Sequence, residues 1–222
     1  MFNEYSEFKS EDSAYKWINN NYKKFIDGIQ KDSFSLGTLG HALFCYTGSM
    51  SEDYNNILRL NNGNITNIDN VIDKYYLYNN DDNISPISAA LAIDAKKDIR
   101  LIHNAFFLNV IKDNIKLFHY FNMNYYGKEI LKEKEFVLNS FVSTTMIKDS
   151  IGISKLISRK NYDSLLLIKV KRGTNCIPIW NHPNSCLKEY EIILKPQTHF
   201  KINKVRRKWF GKVKYLIECE LI

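Results

Sequence analysis

Between Ser10 and Gln30 the apolar side chains recur every three or four positions: Ala14, Trp17, Ile18, Tyr22, Phe25 and Ile29. That spacing lines one face of a helix, and Ser10 stands where an N-cap is needed. A Ser/Gly stretch from Asp32 to Gly37 breaks the pattern. The spacing then predicts a second helix over Leu39–Tyr46, a turn at Tyr46–Ser49, a third helix over Ser51–Leu60 stopped by Asn-Asn-Gly-Asn, and a fourth over Ile68–Tyr78. Asn79–Ser88 reads as a loop by composition. Beyond it the apolar positions shorten into runs suited to strands: Ile99–Phe107, Phe141–Thr145, Ser164–Gly173, Glu189–Leu194, His199–Val205 and Lys212–Ile222. Helices first and strands later define an α+β plan rather than alternating βαβ units. The helical part covers about residues 1–90 and the β-rich part about 98–222, in a chain whose length suits one domain of generous size.

Composition narrows the class. At 45% hydrophobic and 14% aromatic, the 222 residues are a globular sequence rather than a disordered one. Lys and Arg outnumber Asp and Glu by 31 to 24, a net charge of +7, which raises the odds of an anionic partner without naming it. The basic cluster Lys204–Lys214 carries no nucleic-acid-binding signature and is expected to be the solvated face of a terminal hairpin. Nucleic acid is therefore not an expected partner. No apolar run approaches the roughly 18 residues that would span a bilayer, and the opening MFNEYSEFKSED shows no secretory signal. The four cysteines, Cys45, Cys176, Cys186 and Cys219, form no CxxC pair and are expected to be free, mostly buried thiols. No His/Cys/carboxylate set shows metal-ligand spacing, so no metal is implied. A Rossmann fingerprint, a Walker A loop and a GxSxG elbow are all missing from the sequence.

Three short stretches could carry chemistry. Glu189 and Glu191 in KEYEIIL would share one face of a strand, where two carboxylates repel and at least one pKa rises. A solvated strand edge explains the pair as well. In FVSTT, Ser143, Thr144 and Thr145 offer adjacent hydroxyls, or simply a β-branched strand. His103 in RLIHNAF lies in an apolar segment, where a histidine is commonly just a satisfied core residue.

The order of these pieces is more telling than any one of them. SEDSAYKWINNNYKKF, YTGSMSEDYNNILR, FVSTTMIKD and EYEIILKPQTHFKINKV occur in that sequence along nearly the whole chain. Together they resemble the mono-ADP-ribosyltransferase toxins of the Arg/Ser-Thr-Ser/Glu-x-Glu class, namely the catalytic domains of actin-modifying clostridial and bacillary binary toxins and the C3-like exoenzymes. The resemblance implies two roughly perpendicular antiparallel sheets flanked by helices, with NAD as substrate in the cleft between them. It implies Glu191 as the catalytic glutamate, Glu189 as the carboxylate that orients an acceptor arginine, and Ser143 as the side chain that positions Glu191. Asn55, Tyr46, Arg59, Thr144 and Thr145 would line the NAD site, and Trp180 and Cys186 would belong to the substrate loop. His103 holds the place of the family's first-strand arginine, with Arg100 as a substitute only in a shifted register.

By the same resemblance the chain is a monomer that is secreted or delivered into a host cell. Glu-x-Glu favours an arginine acceptor on a host protein, with actin as the first target and a small GTPase as the second. A translocation component is a possible further partner. Two other readings stay open: a catalytically weak or inactive copy of the fold that serves as a docking module, and an NAD hydrolase with water as acceptor.

Overall fold

The capping residue behaves as the spacing predicts. The Ser13 amide donates to Ser10 Oγ at 3.2 Å, and the Ser13 side chain reciprocates to the Ser10 backbone, a closed capping box. Helix α1 (Glu11–Lys31) runs on from this cap and buries Ala14, Ile18, Tyr22, Ile26 and Ile29. The fold is that of a computed structural model, which describes residues 4–77, 86–149, 151–179, 190–208 and 211–222.

Helix α2 (Leu39–Cys45) follows, capped by Thr38. It packs close to the end of α1 because Gly40 has no side chain; a Cβ there would lie 2.2 Å from the Ile29 carbonyl oxygen. A π-helical turn, Tyr46–Met50, kinks at Gly48 (φ −91°, ψ −116°) and leads into α3 (Ser51–Leu60). Helix α4 (Ile68–Leu77) completes the first group. These bounds agree with the sequence expectations to within a residue or two.

Helix α5 (Pro86–Ala105) corrects one of those expectations. Ile99–Phe107 is not a strand: most of it is the last two turns of this helix. Ala92, Ala95, Ile99 and Ile102 are all buried, a helical spacing of three and four that starts before the apolar run. The run seen alone, rich in isoleucine, imitates a strand. Pro86 opens the helix, where its missing N–H costs nothing.

The β-rich part comprises β1 (Ile115–Phe121), β2 (Glu135–Leu138), β3 (Val142–Thr145), β4 (Ser164–Val170), β5 (Ile177–Ile179), β6 (Glu191–Leu194), β7 (Thr198–Arg207) and β8 (Tyr215–Leu221). Two short helices, α6 (Met123–Tyr126) and α7 (Ile151–Lys160), interrupt it. The first true strand, β1, is absent from the sequence reading. Its alternation is masked because both faces are apolar, as expected of a central strand.

All eight strands are hydrogen-bonded in one mixed sheet of order β2-β7-β8-β4-β1-β3-β6-β5. The expected pair of separate antiparallel sheets is not what the hydrogen bonding gives, and β4 and β8 run parallel. The sheet does have a seam. β1 and β3 share a single register pair, Phe118–Thr145, whereas β1 and β4 share seven. Strands that touch at one pair diverge elsewhere, so this seam leaves room for a cleft.

The sheet separates two cores. Ile192 and Leu194 pack with α1, while Ile193 and Phe141 pack with α2 to α5. Strand alternation puts Glu191 on the Ile193 face, toward α2 and α3. The β7–β8 hairpin carries basic side chains, two of them met across the strands by acids: Arg206–Glu218 at 2.8 Å and Lys201–Glu220 at 3.8 Å. Among the described residues, Cys45, Cys176 and Cys219 are free thiols and no helix is long and apolar enough to cross a membrane.

Candidate active site

Register fixes the first wall of the cleft. Thr145 lies opposite Glu191 and Ser143 opposite Ile193 on the antiparallel β3–β6 pair. Ser143 and Glu191 are therefore diagonal neighbours on one face, and the Ser143 hydroxyl donates to Glu191 Oε1 in a short hydrogen bond. The Tyr46 hydroxyl lies 3.1 Å from Ser143 Oγ, and Asn55 Nδ2 donates to the Tyr46 oxygen at 3.5 Å. A carboxylate can only accept, so the chain has one sense: Asn55 to Tyr46 to Ser143 to Glu191. Asn55 Oδ1 also accepts the Phe141 amide at 3.0 Å, which ties α3 to the start of β3. Burial and the nearby Glu191 charge push the Tyr46 phenol far above its ordinary pKa, so it stays a neutral donor.

The residue before Glu191 is unusual. Tyr190 is buried with φ +46°, in the left-handed region that side chains rarely adopt. Its carbonyl accepts the Met146 amide at 3.2 Å, which anchors the turn to the end of β3. Strand β6 accordingly starts at Glu191, two residues later than the sequence pattern predicts. Glu189, Trp180 and Cys186 lie outside the described residues.

The second wall is built around β1 and α3. His119 Nδ1 is 2.7 Å from the Ser143 carbonyl oxygen, and Nε2 is 3.2 Å from the Tyr126 hydroxyl. A carbonyl accepts, so Nδ1 carries the proton and Nε2 accepts from Tyr126. Burial, with a smaller push from Arg59, lowers the His119 pKa to about 4 against the Ser143 bond that raises it, so the ring is neutral near pH 7. The ring stacks on Phe121 at 5.7 Å. The Arg59 guanidinium lies 5.8 Å from the Tyr125 ring centre, and its Nη1 donates to Asn56 at 2.9 Å. Its Nε is buried with no hydrogen-bond partner.

Between the walls lies a cleft of about 180 Å³ bounded by Tyr46, Asn55, Arg59, His119, Tyr126 and Ser143, with Lys160 and Tyr162 also lining it. A smaller recess of about 80 Å³ shares Ser143, His119 and Tyr162 with it and reaches Glu191.

Of the residues singled out in the sequence, Tyr46, Asn55, Arg59, Ser143 and Glu191 converge here. Thr144 and Thr145 line the recess, but their hydroxyls bond the backbone, to the Ile192 carbonyl at 2.5 Å and the Ile147 carbonyl at 3.1 Å. His103 does not join the cleft. It sits on α5 and borders a separate hollow with Lys195, Gln197 and His199. Arg100, one turn earlier, pairs with Asp69 at 2.8 Å on the α4–α5 surface. The histidine that the first strand, β1, carries is His119. Its signal was the run IKLFHYF, hydrophobic on both faces and carrying one histidine.

A profile of the ADP-ribosyltransferase exoenzyme family matches residues 14–222, and the chain belongs to that family. Comparison with curated protein sequences gives no match. Among solved structures, the fold resembles the C3 exoenzyme of Clostridium limosum, at 18% identity and TM-score 0.66 over 99% of this chain and 98% of that one. It also resembles a C3 protein of S. aureus, a structure with NAD, at 15% identity and TM-score 0.64 over 99% of both. An ADP-ribosylating toxin from a C. perfringens binary enterotoxin, solved with NADH, matches 99% of this chain at 19% identity and TM-score 0.62. The chain spans 50% of that toxin.

Proposed function

We propose that this protein is an NAD-dependent mono-ADP-ribosyltransferase that modifies an arginine of a host protein, with actin the first target and a small GTPase the second. The observation that carries the reading is the Asn55–Tyr46–Ser143–Glu191 hydrogen-bond chain at the edge of the cleft. It holds one carboxylate in a fixed orientation at the smaller recess, which adjoins the larger cleft lined by the cationic side chain Arg59.

In this reading NAD lies across the cleft with its pyrophosphate near Arg59, whose partnerless Nε is a donor suited to a phosphate oxygen. Glu191 accepts a hydrogen bond from the nicotinamide ribose. As the bond from the ribose to the nicotinamide nitrogen breaks, its electron pair stays with the nicotinamide and neutralises that ring. Positive charge moves to the ribose, where the Glu191 carboxylate stabilises it, as in glycoside hydrolysis. The acceptor guanidinium then attacks the ribose carbon and gives up a proton to Glu189. Neutral His119 braces the Ser143 backbone and so keeps the Glu191 partner in place. By likeness to the binary enterotoxin component, entry into a host cell would use a separate translocation component.

The test is labelled NAD incubated with the protein and a eukaryotic cell lysate, beside Glu191→Gln. A labelled band seen only with the natural protein supports the transferase, and its mass separates actin from a small GTPase. No band, together with no NAD binding, favours the docking-module reading. Nicotinamide release without a band favours hydrolysis.

A further inference from the structure

Away from the cleft, helices α2 and α5 bring together three side chains that the linear sequence keeps apart. A ring nitrogen of His41, Sγ of Cys45 and a carboxylate oxygen of Asp98 all lie within 4.8 Å of one another. His41 and Cys45 stand one turn apart on α2, with the sulfur 3.8 Å from either imidazole nitrogen. Asp98 projects from α5 and is 2% exposed, whereas His41 and Cys45 are half-buried and reachable from solvent.

From this geometry we infer a zinc-type divalent metal site with His41, Cys45 and Asp98 as its protein ligands. The donor set is one thiolate, one imidazole and one carboxylate, the mixture that a borderline-soft tetrahedral ion accepts. Ligand bonds of about 2.0–2.3 Å at tetrahedral angles put donor atoms roughly 3.3–3.6 Å apart, so modest side-chain rotation closes the present spacing. Part of the outer shell is already built: the Tyr54 hydroxyl donates to Asp98 Oδ2 at 2.7 Å, which fixes the carboxylate. Asp94, exposed and one turn before Asp98, is not among the donors within 4.8 Å, so the fourth position is left for water. Lys97 is the neighbouring cation that works against the site, and it is itself exposed to solvent.

A metal here would clamp α2 to α5. Because α2 ends at Cys45, the clamp acts on the residue next to Tyr46, the tyrosine of the cleft. The site is structural in this account and takes no part in bond cleavage.

Cobalt(II) titration of metal-stripped protein tests the proposal. The expected result is one equivalent bound, a thiolate-to-cobalt charge-transfer band, displacement of that band by zinc, and a higher melting temperature with zinc. Cys45→Ser loses the band, and His41→Gln, at a half-buried position, gives the same loss should the first variant fail to fold. Tyr54→Phe weakens cobalt affinity about 10–100-fold while the band persists at saturation, the signature of a positioning residue. A natural protein without the band, or a folded Cys45→Ser variant with unchanged cobalt stoichiometry and affinity, overturns the site.

Discussion

The two walls of the cleft are held in different ways. The Glu191 wall is a file of hydroxyls and one amide, each donating to the next and ending on a carboxylate. The His119 wall is aromatic and cationic: an imidazole kept neutral by burial, two tyrosines and an arginine with an unused donor. The first wall orients a charge, and the second offers donors and ring faces. A site that binds an anionic, ring-bearing substrate and cleaves it at a developing cation needs both. Charge orientation should thus dominate turnover, and the aromatic wall should dominate binding and fold stability.

Glu191→Gln is the strongest way to break that division. It should lower transfer and nicotinamide release by about 10³-fold, the scale of removing a preorganised electrostatic group, while the melting temperature moves by only a few degrees. Comparable activity in the variant would remove Glu191 from its role. Glu189→Gln sharpens the proposed division of roles between the two carboxylates. Transfer to arginine should disappear while nicotinamide release continues, and equal loss of both would merge the two carboxylates into one function.

Tyr46→Phe cuts the hydroxyl chain without changing its packing against Phe141. Turnover should fall roughly tenfold, with about 1 kcal/mol of stability lost for one buried hydrogen bond. Urea unfolding beside steady-state kinetics separates the two effects.

His119 probes the other wall through pH. Its folded pKa of about 4 lies below the ordinary value of 6.5. Between those values the unfolded chain binds a proton that the folded one does not. Stability from this group is therefore full above pH 6.5 and is lost as pH falls toward 4, by no more than about 3 kcal/mol. His119→Gln should flatten that part of the urea-midpoint profile between pH 7 and pH 5. An unchanged profile would show that the ring is not held neutral.

The smallest effect belongs to His103→Ala. The residue lies on α5 outside the cleft, so NAD affinity should be unchanged.

The contrast also explains what could be read from the chain. Ser143 and Glu191 stand on short strands that the pattern does reveal, a hydroxyl run and a carboxylate before an apolar run, but their role comes from the resemblance and not from the pattern. Tyr46, Asn55 and Arg59 are legible only through the resemblance of YTGSMSEDYNNILR to the family's helix, since nothing in the residues alone marks them as a site. His119 could not be anticipated, since IKLFHYF is apolar on both faces and shows no alternation. The apolar tail of α5 was the more conspicuous run and drew the strand assignment, with His103 in place of His119. The left-handed turn at Tyr190 was equally hidden, because nothing in Glu-Tyr-Glu marks a positive φ. The continuity of the sheet across the β1–β3 seam is a property of pairing that no single strand encodes.

The most direct single measurement is a calorimetric titration of NAD into the natural protein, Arg59→Ala and His103→Ala. The account predicts one saturable site in the natural protein, affinity lower by about tenfold or more in Arg59→Ala, and no change in His103→Ala. No binding by the natural protein, or loss of binding in His103→Ala rather than Arg59→Ala, would contradict the placement of the NAD cleft between the Glu191 and His119 walls.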